Sequence, residues 1–164
     1  MKALVTGGAG FIGSNLVNAL VERGDDVRVL DNFSTGNRSN LEGLDVEVVE
    51  GELRSYERVH AAVRGMEIVY HLGALGSVPR SVQDPLTSSA VNIEGTLNVL
   101  LAARDEGVRR VIFSSSTSVY GSSRELPTSE STRTSGAPGS FRRRRWRTRR
   151  SRAVLLRHVR RAER

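Results

Sequence analysis

Lys2–Asp31, KALVTGGAGFIGSNLVNALVERGDDVRVLD, reads as strand, glycine loop, helix, strand and a terminal carboxylate. Lys2–Thr6 is a short apolar run of the kind buried on both faces of a sheet. Gly7, Gly10 and Gly13 follow at three-residue spacing. Leu16, Ala19 and Leu20 then recur at helical period, and Gly24 stops the helix. Val27–Leu30 is a second β-branched, apolar run that ends on Asp31. A strand feeding a helix through glycines aims backbone N–H groups and the positive helix end at a phosphate. The first glycine permits the tight turn, the second admits a pyrophosphate, and the third lets helix and strand pack closely. A carboxylate at the tip of the second strand is placed to accept hydrogen bonds from an adenine ribose. It would also repel a 2′-phosphate, so NAD is expected over NADP. Arg28 and Arg38 lie nearby, but neither immediately follows Asp31, where a phosphate-reading cation is expected.

The pattern continues outward. Asn32–Leu44 is rich in Ser, Thr, Asn and Gly and reads as a loop with room for one helical turn. Val46–Val49 reads as a third strand, Glu52–Val63 as a helix ending near Gly65, and Ile68–Leu72 as a fourth strand. Gly73–Pro85 reads as a loop bounded by Pro79 and Pro85. Leu86–Glu106 carries Val91, Leu97, Leu100 and Leu101 at helical spacing, and Gly107 stops it. Val111–Ser114 is a fifth strand. Alternating strands and helices imply an α/β fold, a Rossmann-like, doubly wound parallel sheet. Five strands leave such a domain incomplete at the carboxyl end.

Charge is divided unevenly over the 164 residues. Residues 1–136 hold 13 basic and 17 acidic side chains, whereas residues 137–164 hold 12 arginines and one acid, Glu163. The net charge of +7 therefore describes the end of the chain and not its ordered part. With no cysteine, disulfides and thiolate metal sites are excluded. No metal is expected, because no cluster of ligating side chains has the required spacing. The chain lacks an apolar leader or a long apolar run, so a cytoplasmic location and no membrane partner are expected.

The spacing TGGAGFIG, with two residues between each pair of key glycines, resembles the extended short-chain dehydrogenase/reductase family of NAD-dependent sugar-nucleotide epimerases and dehydratases. LDNFSTGNRSNL, VVEGELRS, IVYHLGALGSVPRSVQDPLTSSAVNIEGTLNVLLAAR and RRVIFSSSTSVYG resemble that family's second-strand loop, third-strand end, fourth strand with its helix, and catalytic-serine strand. Within the family the likeness is nearest to the 4-epimerases of UDP-hexoses, and it runs from Lys2 to about Ser135. It implies an isomerase that uses NAD and takes a UDP-sugar as substrate. A nucleotide-sugar dehydratase or decarboxylase of the same family is the alternative. Intact members form homodimers, an assembly not carried over to this chain.

The same resemblance implies the site residues. Gly7, Gly10, Phe11, Ile12, Gly13, Asp31, Asn32, Glu52, Leu53, Leu72, Gly73, Ala74, Leu75 and Asn92 correspond to the cofactor-binding positions. Phe11 and Ile12 contribute backbone N–H groups, and their side chains are expected to pack in the core. Glu52 stands where the family has Asp. His71 corresponds to a structural position, and His60 and His158 have no partners by spacing. Ser116 corresponds to the catalytic serine that hydrogen-bonds the reacting sugar hydroxyl. Tyr120 is not the catalytic tyrosine. That residue belongs to a Tyr-x-x-x-Lys pair, which falls without gaps on Phe141 and Arg145. Phenylalanine has no hydroxyl to ionise, so the pair is absent and the chain as written is expected to be inactive.

Residues 1–135 are therefore expected to form the amino-terminal part of an NAD-binding domain, with 136–164 an arginine-rich, disordered tail. The resemblance ends where arginine surges, as a shift of reading frame in a GC-rich coding sequence would produce. Read one base later, codons for Phe141–Arg145 can spell Phe-Ala-Val-Ala. On this reading the family domain is truncated. The competing reading is a non-catalytic NAD-binding module whose basic arm binds nucleic acid through its phosphates. No helix-turn-helix, zinc or RNA-recognition pattern accompanies the arginines, so a nucleic-acid partner is not expected.

Overall fold

The computed structural model describes residues 1–116 together with Val119, Tyr120 and Ser129. The expected tail, with Phe141, Arg145 and His158, lies outside the described residues, as does the expected domain boundary at 135. Five strands form one parallel sheet: β1 (Lys2–Thr6), β2 (Asp26–Asp31), β3 (Glu47–Glu50), β4 (Ile68–His71) and β5 (Arg110–Phe113). Their order is β3-β2-β1-β4-β5, so the chain reverses direction across the sheet beside β1. The helices are α1 (Phe11–Glu22), α2 (Tyr56–Val63), α3 (Val78–Gln83), α4 (Pro85–Ser89) and α5 (Gly95–Asp105). A 3₁₀ turn covers Arg38–Leu41, and a π-turn, Ala90–Glu94, joins α4 to α5.

Period-two alternation along β1 explains why helices cover both faces of the sheet. Leu4 points into a cluster with Leu30, Val59, Val63, Val69 and Val99, drawn from the strands, α2 and α5. Ala3 and Val5 point the other way, into a cluster with Val17, Leu20, Val27 and Val29 that includes the buried face of α1. The chain divides into two compact units. The first comprises Met1–Ala74 and Glu94–Ser114, and so holds the whole sheet, α1, α2 and α5. The second includes Leu75–Ile93, with α3 and α4.

Three local expectations are corrected. The second helix begins at Tyr56 and not at Glu52. The Ser55 side chain accepts from the Arg58 N–H as its cap, and Glu52–Ser55 is a turn closed by Ser55 N–H to the Glu52 carbonyl at 3.1 Å. The expected loop 73–85 contains α3. Ser77 caps it, and Pro79 sits in its first turn, where a missing N–H costs nothing. The expected single helix 86–106 is α4, the π-turn and α5 in succession. Replacing Ser55 by Ala should cost about 1 kcal/mol, the usual value of an N-cap. Urea denaturation of the variant checks this, and an unchanged midpoint would place the helix start elsewhere.

Two side chains strap α2 to the end of α5. The Tyr56 hydroxyl donates to Asp105 Oδ2 at 2.7 Å, and with Arg104 it holds the Asp105 carboxyl below its ordinary value. His60 Nε2 lies 3.2 Å from Glu106 Oε1. These are surface contacts of small energetic weight, and the apolar cluster beneath them carries the packing.

Candidate functional site: the carboxyl edge of the sheet

Gly7 ends β1 with φ +71°, a left-handed conformation that side chains disfavour, and its N–H donates to the Leu30 carbonyl at 2.8 Å. A Cβ on Gly7 would lie 2.8 Å from the Gly73 Cα, so the first glycine is also required by the close approach of the chain after β4. On Gly13 a Cβ would lie 2.1 Å from the Gly7 carbonyl oxygen, an overlap only backbone movement could relieve. These two contacts press the amino end of α1 against the turn. Gly10, the N-cap, has no side chain to accept the first helical N–H groups, and α1 has no acid in its first turn. The Ser14 N–H closes on the Gly10 carbonyl. The N–H groups of Phe11, Ile12 and Gly13 have no acceptor among the described residues. Orphan donors at the positive end of a twelve-residue helix form a cradle for an anion.

The Phe11 and Ile12 side chains are 85% and 66% exposed, which corrects the expectation that they pack in the core. The reason is helical phase. The buried face of α1 is Gly13, Val17 and Leu20, and the 100° rotation per residue carries positions 11 and 12 away from it.

Asp31 is not the solvated strand-end carboxylate that its position at the tip of β2 suggests. It is 9% exposed. Oδ2 accepts the Ala9 N–H at 2.9 Å, and Oδ1 accepts the Phe33 N–H at 2.9 Å. Asp31 therefore ties the glycine loop to the turn after β2, besides offering its remaining lone pairs to a ligand. Phe33 is held at φ +56°, the one described non-glycine residue with positive φ. The Arg38 guanidinium lies over the Phe33 ring, 4.1 Å from its centroid, and pairs with Glu50. Arg28 is committed elsewhere, to Glu47 and to the carbonyls of Ala62 and Arg64. Asn32 is exposed, and its side chain accepts the Ser34 N–H.

The remaining first-unit positions surround this edge. Glu52 pairs with Arg54 at the surface. Leu53 packs towards the core, and Cβ atoms on Gly73 and Gly95 would collide with its side chain at 2.9 and 2.7 Å. His71 is buried with both ring nitrogens engaged, Nδ1 at 2.7 Å from Thr6 Oγ1 and Nε2 at 3.0 Å from Thr96 Oγ1. Leu72 donates to the Thr6 carbonyl and Gly73 to Thr6 Oγ1, while Ala74 ends the first segment of the unit.

In the second unit, Asn92 clamps Leu75. Its Oδ1 accepts the Leu75 N–H at 2.8 Å, and its Nδ2 donates to the Leu75 carbonyl at 3.0 Å. The Ser116 carbonyl accepts the Val119 N–H at 3.1 Å.

Sequence reasoning missed Thr6, Asn40 and Asn98. Thr6 braces both His71 and Gly73, Asn40 donates to the Ala9 carbonyl, and Asn98 donates to the carbonyls of Leu53 and Arg54. For Thr6 the available signal was a polar residue in an otherwise apolar strand, which marks a buried group that needs partners.

Comparison with known proteins agrees with this geometry. Residues 3–141 match the NAD dependent epimerase/dehydratase family. The chain belongs to that family. A UDP-glucose 4-epimerase of Klebsiella pneumoniae is 38% identical over 139 residues, covering 80% of this chain and 100% of that sequence. One from Erwinia amylovora is 39% identical over 149 residues, covering 86% of this chain and 44% of that protein. The crystal structure of Thermus thermophilus UDP-glucose 4-epimerase in complex with NAD superposes with a TM-score of 0.89 at 36% identity, covering 97% of this chain and 52% of that one. The chain thus spans about half the length of the Erwinia and Thermus members of the family. No helix among the described residues is long and apolar enough to cross a membrane.

Proposed function

We propose that the first unit binds NAD and that the chain supplies the dinucleotide half of a UDP-sugar 4-epimerase. The observation that carries this reading is the set of open N–H groups at Phe11, Ile12 and Gly13, held where neither Gly7 nor Gly13 tolerates a side chain. That donor set fits a pyrophosphate, which takes several convergent N–H groups at a helix end with no acid in its first turn. Asp31 would accept from the adenosine ribose hydroxyls with the lone pairs left by Ala9 and Phe33. Glu52 and Leu53 would lie against the adenine, and Leu72, Gly73 and Ala74 along the rest of the dinucleotide. Asn32 would add a polar contact beside Asp31.

When bound, NAD supplies a hydride acceptor and donor for one carbon of the sugar. Ser116 would hold the sugar hydroxyl at that carbon, the role that the family resemblance implies for it. The sequence has no Tyr-x-x-x-Lys pair to move the hydroxyl proton, its one lysine being Lys2. The binding half of the chemistry is therefore assigned to this chain without the proton transfer. Support for a UDP-sugar comes from the relatives named above.

NAD should raise the melting temperature more than NADP at equal concentration, because Asp31 meets a 2′-phosphate with like charge. A ligand at 100 times its Kd stabilises by about 2.7 kcal/mol, enough to read clearly by differential scanning calorimetry. An equal or larger shift with NADP would overturn this cofactor assignment.

A further inference from the structure

The segment after β2 holds a cation, Arg38, and a carboxylate at the tip of the next strand, Glu50, pairs with it. Parallel register pairs Asp31 with Glu50, so two carboxylates stand side by side at the tips of β2 and β3. The Asp31 Oδ1 fixes the Phe33 N–H, Phe33 presents its ring to Arg38, and the Arg38 guanidinium pairs with Glu50. Arg38 opens the 3₁₀ turn, whose cap Asn37 accepts from the Ser39 N–H at 3.1 Å. Backbone on both sides of the cation is thereby fixed, and the stacked guanidinium is already oriented.

We propose that Glu50 is a specificity-determining residue that excludes NADP by sequestering Arg38. The proposal rests on the reading of the first unit as an NAD site. An arginine near the second-strand tip is the group that accommodates a ribose 2′-phosphate, through paired N–H donors matched to phosphate geometry. In this chain Arg38 does not directly follow Asp31 but stands seven residues on, stacked on Phe33, and its charge is committed to Glu50. An incoming 2′-phosphate meets two carboxylates and must first displace one of them from the guanidinium. The 2′-hydroxyl of NAD carries no charge and is indifferent to the pair. Discrimination thus has two parts: repulsion by Asp31, and the withholding of a counter-charge by Glu50. The second part is the smaller, because the Arg38 and Glu50 side chains are 61% and 62% exposed and water screens their interaction.

Isothermal titration with NAD and with NADP tests this on the full chain, as wild type, Glu50→Gln and Glu50→Gln/Arg38→Met. Both side chains are exposed, and melting curves establish that the variants keep the fold. Glu50→Gln should tighten NADP roughly 2- to 5-fold, the scale of one exposed ion pair, and leave NAD within about 2-fold. The added Arg38→Met should abolish that gain. An unchanged NADP-to-NAD ratio in Glu50→Gln, or a gain that survives the loss of Arg38, would overturn the proposal. Failure of the wild type to bind NAD would instead overturn the reading of the first unit, and the proposal with it.

Discussion

Purified 164-residue protein should interconvert UDP-galactose and UDP-glucose no faster than background. Oxidising a sugar carbinol requires that its hydroxyl proton leave as the hydride does, so a group that can accept the proton must sit on that oxygen. Positioned acid–base groups of this kind contribute typically about 10²–10⁴-fold. By the family resemblance the tyrosine that would do this falls on Phe141 and its lysine partner on Arg145, both outside the described residues. The one lysine among the 164 residues is Lys2, which opens β1. Arginine does not substitute for the lysine. Its planar, permanently charged fork differs in shape and hydration from a compact ammonium. Ser116 can hold a hydroxyl but cannot take its proton at neutral pH. A coupled assay for UDP-glucose is direct, and turnover from the pure chain would refute both the absence of the base and the alignment on Phe141.

Asp31→Ala should weaken NAD binding by about 1–3 kcal/mol, the scale of losing hydrogen bonds to a charged acceptor. It should also destabilise the protein with no ligand present. A strand-end carboxylate in water would give only the first effect. Here the carboxylate is 9% exposed and accepts from both Ala9 and Phe33, so its removal strands two N–H groups. Each unsatisfied buried donor costs about 1–3 kcal/mol, and Phe33 also loses the contact that holds its positive φ. Asp31→Asn separates the two roles in part: it keeps the volume and one acceptor oxygen but loses the charge. Calorimetry of both variants, apo and with NAD, decides the matter. Unchanged apo stability in Asp31→Ala would show that its two bonds contribute nothing to the fold.

The parallel sheet was legible because its inner strands are short and almost wholly apolar. Lys2–Thr6 was bounded to the residue, and the other strands to within one or two. The glycine loop was equally legible, since each glycine answers to a particular contact. Local capping was harder to read. Pro79 looks like a loop marker until Ser77 is recognised as the cap that places it in a first turn. The π-turn at Ala90–Glu94 leaves no periodic trace in a helix already rich in small residues, and only the polar Asn92 hints at it. Residue type misleads about burial at Phe11 and Ile12, where helical phase decides. The partnership of Arg38 with Glu50 joins residues twelve apart through strand register, which the sequence of a single chain does not disclose.

The most direct test of the account is amide hydrogen exchange at Phe11, Ile12 and Gly13, followed by NMR as NAD is added. These N–H groups lack acceptors among the described residues, whereas the neighbouring Ser14 N–H is bonded to Gly10 at 2.9 Å. NAD should slow exchange at all three and leave Ser14 nearly unchanged. Binding of NAD that leaves Phe11, Ile12 and Gly13 exchanging as before would contradict the assignment of this helix end as the pyrophosphate site.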